Sequence, residues 1–447
     1  MPNQSTSPDA RNLSVEYLAI TALTPDPRNA RQHPQRQLAR LKAVINELGF
    51  NNPILVDERL SVIAGHARLE VAKALGMERV PCLRLNHLSE ALKTALAIAD
   101  NKLGDMSHFD PELLAKQLAD LCAVDFAIEL TGFETAEVDI LLEPPRISAT
   151  DPADIFTEPD LSAVPVSQTG DLWMLNEHRL LCANALEADA YARLLGSLQA
   201  DMVFTDAPYN VPIAGHVSGL GRSTHREFAM ASGEMSPDQF TRFLSTYMGH
   251  LARFSTDGSI HFHFIDWRHL REMLEAGDAA YTELKAICFW NKTNGGMGSL
   301  YRSKHEIVLV YKNGIAPHVN NIELGRHGRY RTNVWDYAGA NTFRSGRDED
   351  LALHPTVKPV SLVADAIRDC SKRGSLVLDP FAGSGTTILA AERTGRRAAA
   401  IELDSRYVDT AIRRWQTLTG GKAILAGDGN LFDDVANARH VLEADHD

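Results

Sequence analysis

The chain has 447 residues, 44% apolar and 23% charged, with a formal net charge of −13. That length holds two or three domains, and the composition is ordinary for a globular chain. No apolar run reaches membrane length and no basic-then-apolar leader opens the chain, so a membrane-spanning reading is excluded and a cytoplasmic protein is predicted.

The five cysteines (Cys82, Cys122, Cys182, Cys288 and Cys370) are scattered and form no C-x-x-C pair, which argues against a disulfide framework or a zinc site. The negative charge is local. Residues 120–190 hold 15 acids against Arg146 and Arg179, a net of −13, whereas residues 291–347 hold nine Lys/Arg against Glu306, Glu323 and Asp336, a net of +6. An acidic connector followed by a basic face is compatible with phosphate binding.

In chain order, residues 1–14 are polar and are read as a disordered tail. From Tyr17 the pattern is that of a small α/β unit. A Pro/Asn/Arg loop is followed by a helix over QLARLKAVINEL that stops at Gly49. The strand NPILVDE comes next, then a strand running into a helix over LSVIAGHARLEVAKAL, and then the strand VPCLRL. Asn29, Arg31, the turn Gly65-His66-Ala67-Arg68 and the run Ala99-Asp100-Asn101-Lys102-Leu103 resemble the ParB N-terminal domain and its sulfiredoxin-like relatives over about residues 17–105. In those relatives the G-x-x-R turn handles nucleotide phosphates at a helix start. Here Ala67 replaces the second arginine of that turn, and a DNA-clamping or dimerising accessory domain is the other reading. His66 is read as a turn or capping residue. Helical spacing over 89–143 extends the domain to 15–144, and the acidic, Pro-rich stretch 145–168 is read as a linker.

A second domain is expected over 169–420, with 421–447 as a trailing helix or C-terminal tail. It opens with a hairpin and a helix, passing through Ala183-Asn184. The apolar run Met202 to Phe204 is a short buried strand, and it ends in Asp206-Ala207-Pro208-Tyr209. Such a position, at the carboxyl edge of an α/β sheet, is where ligands bind. The loop Val211–Glu234 carries four glycines together with Arg222, His225 and Arg226, and is read as a cationic lid that contacts DNA. His261 and His263 share one face of a strand, but no third metal ligand is evident, and no metal is predicted. Residues 291–350 mix Arg, aromatic and Asn side chains and are read as the target-recognition region. Lys292, Arg302, Lys304, Arg329 and Arg331 are its candidate DNA contacts.

Leu376-Val377-Leu378 is a second buried strand. It leads through Asp379 into Phe381-Ala382-Gly383-Ser384-Gly385-Thr386 and a helix. Glycines let backbone approach a ligand closely, and a helix N-terminus suits a carboxylate. The next strand ends in Glu402, an acid placed to accept from ribose hydroxyls. Together, D-x-P-Y and the loop D-P-F-x-G-S-G-T resemble the β class of amino-group DNA methyltransferases, in which the catalytic motif precedes the cofactor motif. Asp206 stands 173 residues before Asp379. The resemblance covers about 170–420.

The resemblance implies a class I S-adenosylmethionine-dependent methyltransferase fold, with a mostly parallel seven-stranded sheet, beside a small α/β ParB-like domain. It implies S-adenosylmethionine as cofactor, held by Asp379, Phe381, Gly383, Ser384, Gly385, Thr386 and Glu402. Thr356 and Lys358 of HPTVKP would meet the methionine carboxylate. It also implies transfer to adenine N6 in double-stranded DNA at a specific sequence. In that chemistry Asp206 and the Ala207–Pro208 backbone polarise the amine and Tyr209 stacks on a flipped base. Ala207 replaces the family's first proline, which keeps the carbonyl but loses the fixed φ. Cytosine-N4 methylation and a catalytically silent DNA-binding regulator are the alternatives. Relatives in the β class are commonly dimers, so a homodimer and a cognate restriction enzyme stand as candidate partners.

Overall fold

The computed structural model describes residues 13–124, 126–142, 151–154, 164–211, 231, 233–292, 300–325, 329–338 and 358–444. The chain forms two compact units, Met1–Glu143 and Pro144–Asp447.

The first unit runs β1 (Val15–Ala19), β2 (Thr24–Pro25), α1 (Gln35–Leu48), β3 (Ile54–Val56), β4 (Ser61–Ala64), α2 (His66–Ala74), β5 (Arg79–Arg84), α3 (Glu90–Met106), α4 (Pro111–Ala123) and α5 (Thr135–Leu141). Its five strands lie in the order β1-β5-β3-β4-β2. Ile54, Val56, Val62, Val80 and Cys82 form the core with Leu69 and Ala72 of α2. Gly65 holds φ +105 between β4 and α2, a left-handed backbone that a side chain would strain. Asp110 caps α4 by accepting from the amides of Glu112 and Leu113, and Pro111 occupies the first turn. Leu118, Ile128 and Val138 pack α4 and α5 into a separate small core.

The second unit runs β6 (Leu172–Leu175), β7 (His178–Cys182), α6 (Ala188–Leu195), β8 (Ala200–Thr205), α7 (Pro237–Arg253), β9 (Ser255–Ile265), α8 (Leu270–Ala280), β10 (Glu283–Asn291), β11 (His305–Lys312) and β12 (Val334–Asp336). It continues with α9 (Val360–Cys370), β13 (Leu376–Asp379), α10 (Thr386–Thr394), β14 (Arg397–Glu402), α11 (Ser405–Thr419), β15 (Ile424–Leu425) and α12 (Phe432–Ala444). The sheet order is β12-β10-β11-β9-β8-β13-β14-β7-β6-β15. The seven strands from β10 to β7 are the expected class I sheet, in which β11 alone runs against its two neighbours. Three further strands flank them: β12 on one edge, β6 and β15 on the other.

Both faces of the sheet are covered. α9, α10 and α11 supply one apolar layer, and α6, α7 and α8 the other. Strands buried on both faces read as continuous apolar runs, which is why β8 and β13 stand out in the sequence.

Two expectations gain detail. The trailing helix is docked on the sheet, because β15 ahead of it pairs with β6 and Phe432 of α12 packs edge-on against buried Trp173 at 5.2 Å. The described part of the acidic linker is docked on the second unit. Asp154 accepts from the Val360 amide at 2.7 Å, at the start of α9, and Asp409 accepts from the amides of Val166 and Ser167. Acids that find helix N-termini and backbone amides are held there.

Candidate active site

β8 lies between β13 and β9, where the strand order reverses direction. At such a switch point the loops leaving neighbouring strands separate and open a crevice at their carboxyl ends. Val377 pairs with Met202 and Leu378 with Val203, so Asp379 and Asp206 emerge at the same edge of adjacent strands. Phe381, one turn beyond Asp379, packs edge-on against Tyr247 at 5.1 Å.

Four charged groups and a phenol meet at this edge. Lys358 Nζ lies 2.5 Å from Asp206 Oδ2 and 3.0 Å from Glu306 Oε2. The Tyr209 hydroxyl lies 2.5 Å from Asp206 Oδ1 and 3.0 Å from Glu306 Oε2. Lys292 completes the set with an ion pair to Glu306. Glu306 arrives here because β11 runs antiparallel, so its first turn of strand starts where β8 and β9 end. The Lys358 ammonium also sits over the rings of Phe264 (4.9 Å) and Trp290 (5.6 Å), and its side chain is 5% exposed.

The electrostatics follow from burial and pairing. Burial raises the Asp206 carboxyl above its ordinary value, against the pull of Lys358, and the Glu306 charge adds to the rise. Burial would raise Glu306 too, but Lys358 and Lys292 hold it down at about 2. Burial alone would lower the Lys358 ammonium, and its two carboxylates raise it instead. Lys358, expected near the methionine carboxylate, here pairs with the proposed catalytic acid. Thr356 lies outside the described residues.

On the neighbouring strands, Asp379 accepts from the Phe381 amide at 3.1 Å and from the Thr387 hydroxyl at 2.6 Å. Glu402 accepts from the amides of Gly383 and Asp404, both at 2.8 Å. Burial pushes Asp379 up to about 6 and Glu402 up to about 7 despite these bonds. The two glycines of the loop differ. A Cβ on Gly385 would lie 2.7 Å from Ala411 Cβ, so α11 demands glycine there; one on Gly383 would meet nothing within 4 Å, so its face is open. The Ser384 carbonyl and hydroxyl both accept from Arg414 at 2.7 Å, and the Thr386 hydroxyl faces the same guanidinium at 3.5 Å. Arg414 thus ties both residues into the structure of the loop.

The expected DNA-contact set divides. Arg329 is buried and Arg331 half-buried against α9: they donate to the two oxygens of Asp369 at 2.8 and 2.9 Å, and Arg331 also donates to the Tyr337 hydroxyl. Lys292 is committed to Glu306. Arg302 and Lys304 lie on the exposed surface ahead of β11, beside the exposed Leu300 and Tyr301. Arg222 and Arg226, with most of the expected lid, lie outside the described residues. The base of that loop is described, and it exposes a residue the sequence reading missed. Asn210, at φ +54, donates to the Met235 carbonyl and accepts from the amides of Gly233 and Met235, tying the outgoing chain to the returning one. An asparagine after D-x-P-Y tolerates the left-handed region, and that was the available signal. Asn184 turns its amide oxygen to the Leu186 amide, capping its own turn.

His261 and His263 are fully buried and share the Tyr281 hydroxyl at 3.0 and 3.1 Å. In the first unit, His66 Nε2 accepts from the Asp26 amide at 3.2 Å, a bond across 40 residues, and Arg68 donates to the Asn52 carbonyl. Lys93 occupies the centre of the acidic trio Asp57, Glu58 and Glu90.

Comparison with known proteins agrees with this architecture. The DNA methylase family matches residues 200–413, the ParB N-terminal domain residues 4–102, and the ParB-methyltransferase HTH domain residues 112–169. The type II methyltransferase M.HpaI of Haemophilus parainfluenzae is 23% identical over 287 residues, 60% of this chain and 84% of that protein. The ParB-like nuclease domain-containing protein YnaK of Escherichia coli is 37% identical over 84 residues, 19% of this chain and 97% of that protein. Among solved structures, the cytosine-N4-specific PvuII DNA methyltransferase aligns with a TM-score of 0.41 at 14% identity, covering 62% of this chain and 94% of its own. The cofactor of the methylase family is S-adenosylmethionine. The residues present fit it: an open glycine face at Gly383 and a buried carboxylate, Glu402, suited to receive hydroxyl donors. The chain thus carries an N6/N4 DNA methylase domain over residues 200–413, with a ParB N-terminal domain and a ParB-methyltransferase HTH domain ahead of it.

Proposed function

We propose that the chain methylates the N6 amine of adenine in double-stranded DNA at a specific sequence, after the base is flipped out of the helix. The observation that carries this reading is the emergence of Asp206 and Asp379 side by side at one sheet edge. Bound S-adenosylmethionine would supply an electrophilic methyl group; Asp379, Gly383 and Glu402 are the residues that would hold it. The adenine amine is a poor nucleophile, because its lone pair is delocalised into the ring. Acceptors on its N–H bonds, at Asp206 and the Ala207–Pro208 backbone, favour a pyramidal nitrogen and act most strongly where positive charge develops. Tyr209, its hydroxyl within hydrogen-bond reach of two carboxylates, offers a ring face for the flipped base. In-line positioning does the rest of the work, and the amine proton leaves to solvent afterwards.

Mass spectrometry of nucleosides from DNA incubated with the purified chain and S-adenosylmethionine tests the reading. N6-methyladenine is the expected product. N4-methylcytosine alone would replace it with the cytosine reading, and binding without any product would leave a DNA-binding regulator.

A further inference from the structure

We infer that Glu306 is a positioning residue that draws Lys358 and the Tyr209 hydroxyl away from Asp206 when a base amine arrives. The inference rests on the methyl-transfer reading above. As the molecule stands, both oxygens of Asp206 are engaged, Oδ1 by the Tyr209 hydroxyl and Oδ2 by Lys358, each at 2.5 Å. An amine nitrogen acquiring positive charge beside Asp206 would face an ammonium at contact distance, and two like charges so close in a partly dehydrated site repel strongly. Asp206 therefore has to be released before it can serve as the acceptor.

The geometry supplies the exit. A single atom, Glu306 Oε2, lies 3.0 Å from Lys358 Nζ and 3.0 Å from the Tyr209 hydroxyl. Both donors that occupy Asp206 thus share one alternative acceptor, within hydrogen-bond reach and without backbone movement. Lys292, paired with the other oxygen of Glu306, keeps that acceptor ionised and fixed. The rings of Phe264, Trp290 and Tyr209 surround the Lys358 ammonium, so it exchanges carboxylates without leaving its cage. The exposures have the same sense: Asp206 is 26% exposed, open to an incoming base, whereas Glu306 is 12% and Lys358 5% exposed.

The test uses the full chain, unmethylated plasmid DNA and S-adenosylmethionine. Glu306→Gln is expected to lower kcat about a hundredfold, with calorimetric affinity for S-adenosylmethionine and KM for DNA each within about threefold of wild type. Glu306→Asp, which keeps the charge, is expected to recover at least about tenfold of that loss. A crystal structure of wild-type protein with DNA and a non-reactive cofactor analogue should show Lys358 Nζ bonded to Glu306 and clear of Asp206. An unchanged kcat in Glu306→Gln, or a ternary complex in which Lys358 still bonds Asp206, overturns the inference. Should Glu306→Gln fail to fold, Glu306→Asp and the ternary complex decide it. If the wild-type chain yields no methylated base, the function reading falls and this inference with it, an outcome distinct from an active wild type with an indifferent Glu306 variant.

Discussion

Two buried ion networks stand some strands apart in the methylase unit, built from the same kinds of residue and arranged differently. Against α9, Arg329 and Arg331 each take their own oxygen of Asp369, and Tyr337 takes Asp365. Both acids are nearly sealed, at 5% and 3% exposure. At the sheet edge, Lys358 and the Tyr209 hydroxyl each reach two acceptors, and Asp206 remains a quarter exposed. One network has a separate acceptor for each short bond and locks the approach to β12 onto α9. The other has a surplus acceptor and an opening. In this unit the cluster with the surplus acceptor is the one that opens to solvent, and the cluster whose acids are sealed joins chain segments.

The largest expected effect breaks the closed network. Arg331→Ala leaves Asp369, 5% exposed, with Arg329 as its remaining partner, and removing one member of a buried ion pair costs about 3–5 kcal/mol. Chemical denaturation of the intact chain should show this loss, while DNA affinity of the folded fraction stays unchanged. A loss of DNA affinity at full stability would return Arg331 to the interface. Asp206→Asn breaks the open network instead. It should cost about 3–4 kcal/mol in kcat, as for loss of one preorganised group, and leave stability nearly intact, because Lys358 keeps Glu306. Stability lost in step with activity would show that the open network is structural as well.

A smaller effect sharpens the contrast through pH. Burial raises Glu402 from an ordinary 4.5 to about 7, so between those values the folded chain keeps a proton that the unfolded chain has released. Its contribution to stability is therefore greatest below the lower value and is lost as pH rises through the window. Hydroxyl donors bind the ionised carboxylate, so affinity for S-adenosylmethionine should rise about tenfold from pH 6 to pH 8. Titration calorimetry at the two pH values checks this, and Glu402→Gln should flatten the profile. A flat wild-type profile would remove Glu402 from the cofactor site.

How much of this was legible depended on how far apart in sequence the partners lie. β8, β13, the glycine loop and Glu402 could be read because each is a local pattern: an apolar run covered on both faces, then an acid or a glycine turn. The charge partners were not. Lys358 meets Glu306 only because β11 runs backwards, 52 residues upstream. Arg329 and Arg331 looked like DNA contacts because their segment is basic, but Asp365 and Asp369 wait on a helix that reads as mostly apolar. β15 is two residues long, too short for any periodicity to show, so the docking of α12 on the sheet could not be read. The helical spacing of α4 and α5 was visible; their identity as an HTH domain was not, since docking geometry and groove-facing side chains, rather than periodicity, define one.

The smallest expected effect lies outside both networks and calibrates them. Lys304 is exposed ahead of β11, and its backbone carbonyl accepts from the Lys292 amide at 2.8 Å, so its position is fixed by the same strand that carries Glu306. A surface lysine held over an active-site edge is suited to a phosphate contact, which contributes affinity without sequence information. Lys304→Ala should therefore weaken binding uniformly across sequences and reduce the slope of log affinity against log salt by about 1. Stability should move by less than about 0.5 kcal/mol, as for a surface substitution with no buried partner. Salt titrations of DNA binding by wild type, Lys304→Ala and Arg331→Ala would then order the two basic positions by role. Lys304 should change the slope alone and Arg331 stability alone. If Lys304→Ala leaves the slope untouched, the basic segment before β11 does not face the phosphates, and DNA approaches the open network from another side.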